Sequence, residues 1–415
     1  MMEQNKKRVL FITSRLPYPM NDGRSATLAQ YLDAMSNEYE VGIISLECKK
    51  DINIQPAYLS FCEMLKNPHF FKKILNVFFV SLIKKWPLQV AGIYSRKNQK
   101  IINRKIIDFK PDYIVCDMIR TARYVTKSKY KGYKILDMDD VLSNRYKTSL
   151  NTKEDPLGQF KDMLPSFFLK LIGVLKLNRF ILKFESKRIA KKECTLPLKF
   201  DRVVLVSSLE KKALSEKVKT NNIITWPVGI KMCNTFKSDY NRNMICFLGN
   251  MDASQNQSTL FYILDNIMPL LENKYSFVVV GKCKEQVKQM YENYKNIIFT
   301  GFVDSVIPYV QNSLCLLAPI QYGSGIKIKV LEAMSYQVPV ITSNIGIEGL
   351  DVVKNRDLYV ASTPKEYADF IIKLHDDDSL RQTIALNGYD YVKNNNEYEL
   401  CNEIIINSLK GIDMI

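Results

Sequence analysis

Tyr322-Gly-Ser-Gly-Ile-Lys-Ile-Lys-Val-Leu-Glu-Ala-Met334 sets two glycines ahead of a helix-forming run that carries two lysines and one glutamate. Gly323 and Gly325 let the backbone come close to a ligand, because no side chain stands in the way. The first amides of the helix that follows have no intrahelical partner and are free to face an anion. Lys327 and Lys329 add full positive charge near the same point. Glu332 lies too far into the helix for phosphate but is well suited to accept hydrogen bonds from hydroxyls. This division of labour fits a sugar nucleotide, with amides and lysines on the diphosphate and the carboxylate on the ribose. Taken alone, the same spacing also reads as an ordinary helix that begins with glycine.

The surroundings of this stretch narrow the choice. Short apolar strands alternate with longer helical stretches, the pattern of parallel sheets with crossover helices. The first half predicts strands at 9–13, 41–46, 113–116, 134–136 and 202–206. The second half predicts them at 244–248, 277–280, 297–299, 314–318 and 338–342. Runs such as Val278-Val-Val280 are apolar throughout, as in strands covered on both faces. Four of the second-half strands end in turns of the kind that open toward ligand in a doubly wound sheet. These are Gly249-Asn250, Gly281-Lys282, Gly301-Phe302-Val303 and Ala318-Pro319. One such glycine means little, since turns need glycine anyway. Four such turns in series before the Gly-Ser-Gly helix start form a far more specific pattern.

Charge divides the chain in the same place. Residues 1–230 hold 42 Lys and Arg against 22 Asp and Glu, whereas residues 231–415 hold 17 against 21. With the loop at Trp226-Pro-Val-Gly-Ile230, this predicts two α/β domains, 1–230 and 231–397, with a last helix at about 398–415 packing back on the first. The basic half predicts contact with a polyanion or an anionic membrane surface. Two Lys- and Phe-rich segments, 67–86 and 165–192, interrupt its alternation. In the second, Phe168, Leu171, Leu175, Ile181 and Phe184 recur near helical spacing. That pattern fits a membrane-surface helix or a surface helix packed on its own domain. The best apolar run, 74–83, has half the length needed to span a bilayer. The nine cysteines are scattered and never form CxxC, as expected of free thiols in a reducing cytoplasm. No nucleic-acid-binding module is recognisable.

Phe247-Leu-Gly-Asn-Met-Asp252, Gly301-Phe-Val-Asp304, Ala318 to Met334, Val338-Pro-Val-Ile-Thr342 and Gly346-Ile-Glu-Gly-Leu350 together resemble the family-four retaining glycosyltransferases. Within that family they are most similar to enzymes of bacterial exopolysaccharide, capsule or lipopolysaccharide synthesis. The opening Ser14-Arg-Leu-Pro-Tyr-Pro-Met-Asn-Asp-Gly-Arg24 is similar to the start of the same enzymes. The resemblance implies the GT-B fold, two facing Rossmann-like doubly wound domains. It implies that Glu332 binds the donor ribose, that Ser324, Gly325, Ile326 and Lys327 hold the diphosphate and sugar, and that Phe302 and Val303 meet the base. Gly249 and Lys282 would complete the donor site. Gly23 and Arg24 would approach the donor phosphate and the acceptor. Two departures stand out. Ser324 occupies a position that is glutamate in many relatives. No histidine ends an N-terminal strand, where Cys116-Asp-Met118 makes Asp117 the substitute catalytic candidate beside Lys327.

Asp137-Met-Asp-Asp140 admits a divalent-metal reading and an acceptor-side or structural one. The Gly-Ser-Gly amides and the lysines already supply positive potential, so Asp139 and Asp140 are read as acceptor-side groups, with no metal and no cofactor beyond the nucleotide-sugar substrate. The expected activity is retaining transfer from a nucleotide sugar to a glycan or polyprenyl-diphosphate-linked acceptor. It would take place in the cytoplasm or at the inner face of the plasma membrane. A GT-B-type nucleotide-sugar 2-epimerase and a nonenzymatic glycan-assembly protein remain alternatives.

Overall fold

The computed structural model describes residues 6–20, 23–47, 56–151, 178–236, 239–271, 274–323 and 325–413. The chain forms two compact units, 1–227 with 402–415 and 228–401. Both are built on all-parallel sheets, as GT-B folds are.

In the N-terminal unit seven strands lie in the order β3-β2-β1-β4-β5-β6-β7. They are β1 (Arg8–Thr13), β2 (Glu40–Ser45), β3 (Leu59–Met64), β4 (Tyr113–Asp117), β5 (Tyr133–Asp139), β6 (Arg202–Leu205) and β7 (Ile223–Thr225). The apolar run at β1 is explained by its two faces. Leu10 and Ile12 join one core with Ile44, Ile114 and Leu136. Val9 and Phe11 join the other with Ile43, Val115 and Val204. Side chains alternate across a strand, so a strand covered on both sides must be apolar at every position. Fully burying each such side chain contributes roughly 1.5–3 kcal/mol. The helix Tyr398–Asp413 gives Ile405, Ile406 and Leu409 to the second core. There Trp226 stacks edge-on to Tyr31 at 5.0 Å and donates from Nε1 to Ser408 Oγ.

In the C-terminal unit the order is β10-β9-β8-β11-β12-β13. The strands are β8 (Asn241–Leu248), β9 (Ser276–Val280), β10 (Ile297–Gly301), β11 (Ser313–Ala318), β12 (Val340–Thr342) and β13 (Tyr359–Val360). Strand order reverses between β1 and β4 in one unit and between β8 and β11 in the other. Ligands of doubly wound sheets bind outside the strand ends at such switch points.

The sequence reading omitted three strands, β3, β7 and β13, and each of them forms the edge of its sheet. Edge strands are short or half-covered and need no continuous apolar run; β7 has three residues and β13 two. Part of the basic segment 165–192 forms the helix Asn178–Thr195, which buries Leu182 and Ile189, along with Glu185 and Glu193. Ile181 and Phe184 are half-buried. Phe168, Leu171 and Leu175 lie outside the described residues. Among the described residues no helix is long and apolar enough to cross a membrane, and all eight cysteines are free.

Candidate functional site

At the switch point of the N-terminal unit, one arginine gathers three carboxylates. The helix Gly23–Ser36 follows β1 and carries Arg24 in its first turn. Arg24 donates from Nε and Nη2 to Asp117 Oδ1 at 3.1 and 2.7 Å, from Nη2 to Asp137 Oδ2 at 2.5 Å and from Nη1 to Asp139 Oδ1 at 3.2 Å. Asp117 Oδ2 accepts from the amide and hydroxyl of Ser14 at 2.9 and 2.6 Å. Both oxygens of Asp117 are therefore engaged. Burial alone would raise its pKa, but Arg24 and Ser14 outweigh burial and hold it below the ordinary value. Asp137, which lacks Ser14, is instead pushed up to about 6 by burial against the pull of Arg24, with Asp139 adding to the rise. Asp139 is raised as well, by burial and by Asp140. The backbone turns left-handed at Met118 and Asp139, with φ of 59° and 66°, directly at the ends of β4 and β5. Such conformations persist where the surrounding structure imposes them, often at functional sites.

Asp140 pairs with Arg145, which also draws on Asp139. The DxD spacing brings Asp137 and Asp139 onto the Arg24 guanidinium. Among the described residues no group of His, Cys, Asp and Glu is arranged to hold a metal ion.

The C-terminal unit assembles a second cluster at its own switch point. Gly249 follows β8 directly, and its amide donates to Val280 O at 3.0 Å. A Cβ on Gly249 would lie 2.9 Å from Lys329 Nζ and 2.8 Å from Asn256 Nδ2. Glycine at this position is what lets the Lys329 ammonium reach the strand end. That ammonium donates to Asn256 Oδ1 at 2.7 Å and lies 4.6 Å from the Phe247 ring centre. Lys329 and Glu332 stand one turn apart on the helix Ile328–Ser335. Burial pushes the Lys329 ammonium down to about 7 despite Glu332, and burial raises Glu332 despite Lys329. A half-charged lysine beside a carboxylate, both partly desolvated, is a common signature of a ligand site.

The glycine turns around this cluster are required by close packing. A Cβ on Gly281, whose φ is 126°, would fall 2.2 Å from Gly249 O. Gly323 and Gly325 also have positive φ, 115° and 75°. Gly323 packs so closely on Gln255 that a Cβ would lie 2.6 Å from Nε2. Gly323 thus lies against the start of the helix Ser254–Tyr262. Ser324 lies outside the described residues. Lys327 is buried and donates to Gly325 O at 2.6 Å, bracing the loop. Ile326 is half-buried. Lys282 is exposed and pairs with Asp252 at 2.8 Å. Phe302 follows Gly301 at the end of β10 with its ring 80% exposed, and Val303 is half-buried.

Asn256 and Ser14 were not among the site residues expected from sequence. Lys329 was expected with Lys327 as positive charge for the diphosphate, but the detailed donor contacts were assigned to Lys327, which stands nearer the glycines. Asn256 and Ser14 are common polar residues whose importance comes only from what the fold puts beside them. Neither histidine joins a cluster. His69 precedes the helix Phe70–Asn76, and His375 packs edge-on to Tyr275.

Comparison with known proteins agrees with this architecture. Residues 242–377 match the family described as "Glycosyl transferases group 1". The match lies within the C-terminal unit. The chain is 24% identical over 409 residues to an uncharacterized 44.6 kDa protein in the cps region of Klebsiella pneumoniae, covering 94% of this chain and 96% of the relative. Its fold is similar to sucrose-phosphate synthase of Thermosynechococcus elongatus, with TM-score 0.69 and 11% identity over 99% of this chain and 100% of the other. It is also similar to Anabaena Alr3699/HepE in complex with UDP, with TM-score 0.66 and 13% identity over 97% and 100%.

Proposed function

We propose that this protein is a retaining glycosyltransferase of cell-surface polysaccharide synthesis, moving a sugar from a nucleotide-sugar donor to a lipid-linked glycan acceptor in the cytoplasm. The observation that carries the reading is the Lys329–Glu332 pair at the β8/β11 switch point, within a group 1 glycosyltransferase domain. The Klebsiella relative from a cps region supports a role in polysaccharide synthesis, and the UDP bound by the Anabaena structure supports a nucleotide donor.

In this reading Glu332 accepts hydrogen bonds from the ribose hydroxyls, and Lys329 sits against the diphosphate. Lys327 and the Gly325–Ile326 loop shape the sugar end. Exposed Phe302 stacks near the base. As the bond from the anomeric carbon to the diphosphate oxygen breaks, negative charge grows on the leaving group. A fixed ammonium at that point lowers the barrier. The acceptor oxygen bonds to the anomeric carbon on the same face, and its proton passes to the departing phosphate oxygen. This route uses no carboxylate nucleophile and no cofactor. Asp117, ionised and fully engaged, holds Arg24 in place, and Arg24 in turn fixes Asp137 and Asp139 on the acceptor side.

The test is to incubate the protein with UDP-, GDP- and dTDP-sugars and a polyprenyl-diphosphate-linked glycan, following the anomeric signals by NMR. The reading expects a new glycosidic bond with the donor's anomeric configuration. A 2-epimer formed without acceptor would establish the epimerase instead. No donor consumption with any acceptor would favour a nonenzymatic role.

A further inference from the structure

The helix Phe70–Asn76 runs directly into a wider π-helical stretch, Val77–Ile83, and this segment is inside out. Its outward face carries Phe71, Ile74, Leu75, Phe78, Phe79 and Leu82, which are 36–78% exposed. They recur at the three- and four-residue intervals of one helical face. Two of its polar residues, Asn76 and Ser81, bond inward. Asn76 Nδ2 donates to Tyr94 O at 2.5 Å, and Ser81 accepts from Arg188 through both its carbonyl and its hydroxyl. Val80 is buried, and Trp86 N closes onto its carbonyl at 3.1 Å. These contacts fix the rotation of the helix, so the phenylalanines are held outward. Exposed apolar residues scattered singly need no explanation, but six on one face do.

Charge identifies what covers the face. Residues 64–107 contain ten Lys and Arg and no Asp or Glu. Lys72, Lys84 and Lys85 are exposed and flank the apolar face at both ends. A second copy of this chain would bring like charges together. An anionic leaflet would meet the lysines with phosphate and take the phenylalanines among its acyl chains.

We propose that residues 70–83 form an in-plane anchor that inserts into an anionic phospholipid leaflet. This goes beyond sugar transfer and does not depend on it. The role falls to the segment 67–86, whereas the described part of the segment 165–192 buries Leu182 and Ile189 and exposes Phe180 alone among its large apolar side chains. The anchor would hold the protein where an amphiphilic, lipid-linked molecule resides, restricting diffusion of the two to a surface.

The test is flotation of the full chain with vesicles of phosphatidylcholine alone or mixed with phosphatidylglycerol. Nucleotide binding and the thermal midpoint are followed in parallel. Binding is expected only with the anionic lipid. The triple variant F71S/F78S/F79S should lose at least roughly tenfold in partitioning, because each removed ring withdraws apolar area from the bilayer. K84Q/K85Q should lose roughly fivefold per lysine. Both variants should keep the wild-type midpoint and nucleotide affinity. Tryptophan placed by F79W should shift to the blue on binding and be quenched by lipids brominated in the acyl chain. The proposal is overturned if the triple variant floats like wild type, or if F79W is untouched by the brominated lipids. It is also overturned if sedimentation shows a dimer that the triple variant dissolves.

Discussion

Lys329 makes donor binding sensitive to pH in a direction that can be worked out from the site. Its ammonium titrates at about 7, against an ordinary value of 10.5, because burial disfavours the charged form. A diphosphate alongside returns it toward the charged state, so binding takes up a proton. Between pH 6 and pH 8.5 the charged fraction of the empty site falls from roughly 90% to roughly 3%. Affinity should therefore fall about thirtyfold, or about 2 kcal/mol. A UDP-sugar is the suitable probe, because its diphosphate does not ionise in this range. Isothermal titration in buffers of different ionisation enthalpy should show net proton uptake near pH 7. Lys329→Arg keeps a charge at all these pH values and should flatten the profile. Lys329→Met should be weak at every pH and equally flat. Folding responds with its own sign. Unfolded chain binds this proton between about 7 and 10.5 while folded chain does not, so stability rises with pH across that window. Below it the penalty is fully present. Lys329→Met removes this titration, so its stability should vary less with pH across that window than wild type does, while its ligand binding is weaker. A wild-type affinity that is flat from pH 6 to 8.5, with no proton uptake, would refute the placement of Lys329 against the diphosphate.

Two further perturbations follow from the clusters. Arg24→Gln leaves Asp117, Asp137 and Asp139 without their shared cation and should cost roughly 3–5 kcal/mol at pH 7, measured by denaturant unfolding. Lowering the pH should recover part of that loss, because Asp137 and Asp139 already have raised pKa values and protonate first. Gly281→Ala forces a Cβ to 2.2 Å from Gly249 O at a φ of 126° and should both lower the thermal midpoint and disturb donor binding. Gly301→Ala, with φ of 69° and nothing within 4 Å of the new Cβ, should cost only about 1 kcal/mol.

The layered fold was legible because buried parallel strands are apolar at every position, and such runs are visible without tertiary information. The edge strands were not, since β3, β7 and β13 need no such run. In the candidate site, Glu332 and the glycines stood out because their conformational and chemical demands are local. The Arg24 cluster was visible only in part. Asp137, Asp139 and Asp117 come from two strands, and nothing local says that one guanidinium serves all three. Lys329 and Asn256 lie 73 positions apart and become partners only because the starts of two helices, Ser254–Tyr262 and Ile328–Ser335, pack together. The inverted helix at 70–83 was legible as apolar and basic, but its outward orientation depends on Tyr94 and Arg188, which sequence cannot assign to it.

The central claim is that Glu332 reads the ribose of a nucleotide donor, and a double-mutant cycle tests it most directly. UDP and its 2′,3′-dideoxy analogue are titrated into wild type and Glu332→Ala by calorimetry. If the carboxylate accepts from the ribose hydroxyls, removing either partner weakens binding, and removing both costs little more than removing one. The coupling should be roughly 1.5–3 kcal/mol, as for hydrogen bonds to a charged group. Equal affinity of Glu332→Ala and wild type for UDP, or losses that simply add, would contradict the account.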